Sequence, residues 1–226
     1  MKKLLTLMIV VMMSAISFAQ NDVTKFLGIP VDGTVAEMKA KLMAKGFKEL
    51  SIGNDTLLQG RFNDSNVFAA PLENNGKVYR VLVSNMEPFS ETDVRIAYNN
   101  LCYQFCKNPK YSTLKEESDY MIPDSENISY EITVHNKSYE AAFVQLDSIS
   151  AQKIYSDALL SKYTIEQIQN PTTQQREEMR KLGTEALNEV THKKIVWFRI
   201  KRMSYEQYSI ALYYDNGYNM SNGEDL

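Results

Sequence analysis

Asn66-Val-Phe-Ala-Ala-Pro-Leu-Glu-Asn-Asn-Gly-Lys-Val-Tyr-Arg-Val-Leu-Val-Ser-Asn-Met86 decides the fold. At its centre Glu73-Asn74-Asn75-Gly76 is the clearest hairpin signal in the chain, because asparagine and glycine accept the positive φ of a tight turn. Beyond the turn, Tyr79, Val81 and Val83 alternate with Arg80 and Ser84. That is the period of a strand with one buried face. Before it lie two more strand-like runs, Phe47 to Ile52 and Leu57 to Phe62, ended by Gly53-Asn54-Asp55 and Asn63-Asp64-Ser65. Short turns between neighbouring strands predict an antiparallel meander.

A helix precedes this meander. Asp32-Gly33 turns the chain, and Thr34 with Glu37 forms a capping box that satisfies two otherwise orphaned backbone donors. Val35, Met38 and Leu42 make its apolar stripe, Lys39, Lys41 and Lys45 face water, and Gly46 ends it. A second helix opens at Ser90, carries Val94, Ala97, Tyr98, Leu101 and Phe105 at helical spacing, and stops at Asn108-Pro109. After it, a charged region predicts one strand at Asp119 to Ile122, and Ile128 to His135 alternates cleanly enough to predict another. Asn136-Lys137 turns into a strand from Tyr139 to Leu146.

Residues ~148–164 and ~172–191 read as two amphipathic helices joined by a polar linker at Gln167 to Gln175. They predict a helical excursion between two strands of one sheet. The final hairpin runs Ile195 to Met203 and Gln207 to Tyr214. The order gives α+β: helices packed on one face of an antiparallel meander sheet, in two helix-then-meander halves (about 20–88 and 89–226), with an insert at about 148–191. No β-α-β alternation exists, which argues against a doubly wound nucleotide-binding fold.

Residues 1–19 read as a signal peptide, with Lys2-Lys3, an apolar run from Leu4 to Met13, and Ser17-Phe18-Ala19 before Gln20. The expected location is therefore periplasmic or extracellular. The run is short for a membrane span and no cysteine adjoins the cleavage point, so no stable membrane anchor is expected. Removing Lys2 and Lys3 moves the formal charge from −3 to −5, which gives no encouragement to nucleic acid as a partner. Two cysteines, Cys102 and Cys106, do not make a disulfide scaffold. Four apart on one helix, they are either two packed thiols or a strained disulfide.

The opening Phe26-Leu-Gly-Ile-Pro-Val-Asp-Gly-Thr34, the helix ending Lys45-Gly46-Phe47 and the terminal Tyr214-Asp-Asn-Gly-Tyr-Asn-Met-Ser-Asn-Gly-Glu-Asp-Leu226 resemble a group of uncharacterised exported proteins of Bacteroidetes. The resemblance implies no activity. The architecture also resembles, more loosely, the helix-plus-sheet modules of β-lactamase-inhibitor proteins and small outer-membrane assembly lipoproteins. The lineage further implies O-glycosylation at Asp-Ser/Thr before an apolar residue, which Thr56 and Ser148 match.

No catalytic constellation is visible. His135 and His192 lack ligand spacing, Asp215-Asn216-Gly217 lacks the order of a calcium loop, and no Cys-x-x-Cys, Gly-x-Ser-x-Gly or phosphate loop occurs. Neither a metal nor another cofactor is expected. The most suggestive surface is the last hairpin. With Val196, Phe198 and Ile200 inward, Trp197, Arg199, Lys201 and Tyr213 share the opposite face. Aromatic and guanidinium groups anchor interfaces, so this face suits a protein or glycan partner unless the helical excursion covers it. The expectation is a non-enzymatic binding module, with a hydrolase whose site is dispersed in sequence, or a structural envelope protein, as alternatives.

Overall fold

A computed structural model describes residues 22–52 and 55–221, without the side chains of residues 52–56. The signal segment lies outside these residues. So does the side chain of Thr56.

The chain opens with a small hairpin, β1 (Lys25–Phe26) and β2 (Ile29–Pro30), then α1 (Val35–Ala44). The meander follows as β3 (Lys48–Ile52), β4 (Asp55–Phe62), β5 (Ser65–Asn74) and β6 (Lys77–Asn85). Next come α2 (Glu91–Lys107), the two-residue β7 (Ser112–Thr113), a 3-10 turn (Glu117–Tyr120), α3 (Ile128–His135) and β8 (Glu140–Val144). Three helices, α4 (Ser148–Leu160), α5 (Ile165–Gln169) and α6 (Thr173–Thr191), lead to β9 (Ile195–Ser204) and β10 (Gln207–Asp215). Among the described residues, eight strands form one antiparallel sheet in the order β3-β4-β5-β6-β10-β9-β8-β7. The fold is α+β, and the final hairpin adds to the first meander through β6 and β10.

The central hairpin turns at Asn75 and Gly76, with φ of 50° and 73°. This pair of positive φ angles is what its two residue types permit. The Thr34–Glu37 capping box is formed in full, and Met38 and Leu42 are fully buried. On the sheet, Val81, Val83, Val196, Phe198, Ile200, Tyr208, Ile210, Leu212 and Tyr214 all face the helices and join one core. Phe26 reaches into it from the β1–β2 hairpin, its ring centroid 4.9 Å from Tyr214 and 5.3 Å from Phe62.

Two predicted strands are not strands. Ile128 to His135 is a helix, and the segment at Asp119 falls in the 3-10 turn. In α3 only Ile128 and Ile132 reach the core, while Tyr130 and Val134 are exposed. Residues four apart satisfy a helical period as well as a strand period, and the caps decide between them. The Asn127 side chain accepts from Tyr130 N at 2.8 Å, Ile128 N donates to Glu91 Oε1 at 2.8 Å, and Asn136 ends the helix at φ 52°. The linker inside the excursion also holds a further short helix, α5, opened by a capping box of Thr164 and Gln167.

The excursion connects β8 to β9, which are neighbours in the sheet. Its buried side chains Leu159, Tyr163 and Met179, supported by Tyr155, Ile168 and Leu182, form a cluster separate from the main core. The three helices are therefore an arm standing off the sheet. No described helix is long and apolar enough to cross a membrane.

Candidate functional site

Among the described residues, α1 and α2 pack on one face of the sheet, and the opposite face contributes no side chain to the hydrophobic core. Strand register puts Leu50 opposite Leu57, Ala70 opposite Leu82, Leu82 opposite Tyr213, Tyr213 opposite Trp197, and Trp197 opposite Ala142. These residues form an apolar stripe across seven strands on the face away from the helices. Tyr213 is buried among its neighbours, while Leu50, Leu57, Ala70, Leu82, Trp197 and Ala142 are half-buried. None of them belongs to the hydrophobic core. At about 4.8 Å between strands the stripe is roughly 29 Å long.

Beside the stripe sits a compact polar cluster. Trp197 stacks on Tyr213 with ring centroids 4.0 Å apart and planes 14° from parallel. Asp215 accepts from Arg80 Nε at 2.5 Å, from Arg80 Nη2 at 2.8 Å and from Trp197 Nε1 at 2.9 Å. The Arg80 guanidinium also lies 4.9 Å from the Tyr213 ring centroid and 5.5 Å from those of Trp197 and Tyr79. The hydrogen bond to Asp215 outweighs burial and raises the Arg80 pKa above its ordinary value.

Of the four side chains predicted to share this surface, the structure brings Trp197 and Tyr213 into contact. Arg199 lies further along the strand, with Nη1 3.6 Å from Glu140. Lys201 is further still and exposed. The Trp197 indole is half-exposed, so the arm does not bury it. Arg80 and Asp215 were not anticipated as members of the cluster. Arg80 stood on the polar side of an evident strand, but Asp215 read as part of a terminal turn.

The remaining candidates fall elsewhere. Ser148 is exposed in the first turn of α4, where Asp147 accepts from Ser150 N at 2.8 Å and from Ser150 Oγ at 3.0 Å. Cys102 and Cys106 are free thiols, Cys102 buried and Cys106 partly so. Burial, with the neighbouring Cys106, pushes the Cys102 thiol up to about 12, which removes nucleophilic character at neutral pH. His135 is exposed on α3 beside Glu131 at 2.8 Å, and His192 caps α6 with Nδ1 2.6 Å from Asn188 O. Among the described residues no group of three or more His, Cys, Asp or Glu could hold a metal ion.

On the helix side, a cleft of 950 Å³ lies between the β1–β2 hairpin, the end of α2 and the root of the arm. Tyr111 Oη accepts from Gln145 Nε2 at 2.9 Å in its wall, and Lys194 Nζ meets Asp22 Oδ2 at 2.6 Å. The chain matches no protein-family model, no curated protein and no solved structure.

Proposed function

We propose that this chain is an exported, non-catalytic binding module that engages a partner protein through the open face of its sheet. One observation carries the reading: the apolar stripe from Leu50 to Ala142 crosses seven strands on the side without helices. An antiparallel sheet with one solvated face ordinarily alternates apolar inward and polar outward. Here the outward row is apolar along its whole length, and leaving it wet forgoes about 25 cal/mol for each Å² that a partner would bury.

The margins support a protein rather than a lipid surface. Arg80–Asp215 and Arg199–Glu140 flank the stripe with paired charges, the arrangement of an apolar centre within a polar rim. Lys48 and Lys201, at the two ends of this face, are exposed and have no ion-pair partner among the described residues. The partner surface that fits is apolar at its centre and acidic at its rim. Export rests on the basic, apolar and small-x-small order of residues 1–19, and on the resemblance to exported Bacteroidetes proteins.

Capture from a native envelope extract tests this, with quantification of what each variant loses. Leu82→Glu should lose the partner at least tenfold at unchanged thermal stability, and Trp197→Ala with Arg199→Ala should weaken it. Lys41→Glu, on the helix side, should retain it. Equal capture by all of these would exclude the open face.

A further inference from the structure

A second cavity, of 270 Å³, adjoins the large cleft on the helix side. It is a slot between α2 and the sheet, lined by Val67, Val83, Ile210 and Leu212 together with polar residues such as Asn85, Asn100 and Gln104. The four apolar side chains are between 2% and 6% exposed, so the slot cuts into apolar packing. A cavity of ~150 Å³ already takes up a benzene, so on that scale this slot holds on the order of ten carbon atoms.

The large cleft has the opposite character. Three lysines, Lys25, Lys110 and Lys194, face two aspartates, Asp22 and Asp147, a net of +1. Both carboxylates are already engaged. Asp22 meets Lys194 at 2.6 Å and Lys25 at 3.5 Å, and Asp147 caps α4. The Lys110 ammonium is exposed on the rim with no partner among the described residues. Slot and cleft share Phe62, Asn63, Leu101 and Gln104 in their walls. Across that junction Asn63 Nδ2 donates to Gln104 Oε1 at 2.8 Å, tying the β4–β5 turn to α2.

We propose that the two spaces form one site for a single-chain amphiphile with an acidic head group. Its alkyl chain fills the slot beneath α2, and its head sits in the basic cleft within reach of Lys110 and Lys25. The slot has volume for one chain. The uncompensated lysine selects a negative head over a neutral one, because a charge-assisted contact there replaces an ammonium–water contact at no cost in burying a lone charge. The Asn63–Gln104 hydrogen bond lies where the two spaces meet. The site lies across the sheet from the stripe and does not depend on it.

Titration of the full mature chain with dodecanoate below its micelle concentration tests this, read by calorimetry and by backbone amide shifts. Dodecanoate should bind at least tenfold tighter than dodecanol, and dodecyl phosphate in parallel tells a phosphate head from a carboxylate, binding of either supporting the site. Shifts should cluster at residues 62–67, 97–104 and 210–212. Lys110→Glu should weaken dodecanoate at least fivefold and leave dodecanol unchanged, and Ala97→Phe, which fills the slot, should abolish binding. Equal affinity for dodecanol and dodecanoate, shifts centred on Leu57, Leu82 and Trp197, or undiminished binding by Lys110→Glu would each overturn the proposal. If Ala97→Phe does not fold, the wild-type shift map and Lys110→Glu decide.

Discussion

Asp215 accepts three hydrogen bonds from two side chains on two strands. Arg80 sits on β6 and Trp197 on β9, with β10 between them. The side chains of Arg80 and Asp215 are 20% and 8% exposed, too buried for water to replace the bond fully. Removing one partner of such a pair costs more than the pair contributes, because the remaining charge stays buried. Asp215→Ala should therefore lower unfolding free energy by about 3 kcal/mol, measured by urea titration of Trp197 fluorescence. Adding Arg80→Met to that variant, which removes the stranded charge, should recover part of the loss. Asp22 supplies a pH signature. Burial pushes its pKa up, but the hydrogen bond and charge of Lys194, with Lys25, more than reverse this and hold it below 3.8. A depressed folded-state pKa contributes stability above the unfolded value of 3.8 that is lost as pH falls through the folded one. Asp22→Asn should thus be less stable than wild type at pH 6, by about 1 kcal/mol or less for so exposed a carboxylate. The two stability curves should converge in acid; a constant gap down to pH 2 would assign the loss to something other than charge. Trp197 and Tyr213 were legible as a pair because side chains alternate along each strand of a hairpin. Arg80 and Asp215 were not, because their meeting depends on β6 pairing with β10, 135 residues apart.

At the scale of elements, local signals succeeded where the hydrophobic period was unambiguous and failed where two periods coincided. The caps of α1 and the turn at Asn75-Gly76 were readable from a few residues each. In α3 the positions Ile128 and Ile132 fit both a strand and a helix, and the alternation of Ile128, Tyr130, Ile132 and Val134 with polar residues tipped the sequence reading the wrong way. What decided the matter was the Asn127 cap, together with Glu91, whose carboxylate comes from another helix. The arm shows a subtler case. Gly183 lies inside α6, where alanine would ordinarily gain about 1 kcal/mol. A Cβ there would sit 2.1 to 2.6 Å from three ring atoms of Tyr155 on α4. The glycine is what lets α4 and α6 approach, so Gly183→Ala should separate them at an overpacking cost of about 1–3 kcal/mol. Hydrogen exchange should then quicken in residues 148–191 while the amides of β6, β9 and β10 keep their protection. Slower exchange in the arm would show that Tyr155 moves aside cheaply.

The described residues are one large sheet and the small β1–β2 hairpin with two additions, the helical layer that completes the core and the arm that does not. The sequence showed the arm as a break in strand rhythm, yet nothing local could tell whether it would cover Trp197 or stand clear. That outcome depends on where β8 ends and β9 begins. Gln145 N donates to Lys194 O at 2.9 Å, so the strands are already paired at the arm's root. The arm's own core is three buried side chains, too small to hold three helices against the conformational entropy of a free chain. Replacing residues 147–192 with Asn-Gly should close β8 to β9 as a two-residue hairpin. The shortened chain should lose the far-ultraviolet signal of three helices, keep a single cooperative transition, and change its melting temperature by no more than about 5 °C. Collapse of that transition would mean that the arm holds the sheet together. If the sheet survives and Leu82→Glu still abolishes capture in the shortened chain, the open face alone is the binding surface. If capture is lost with the arm while the stripe is intact, recognition belongs to exposed arm residues such as Ile149 and Ile165, which are 77% and 65% exposed.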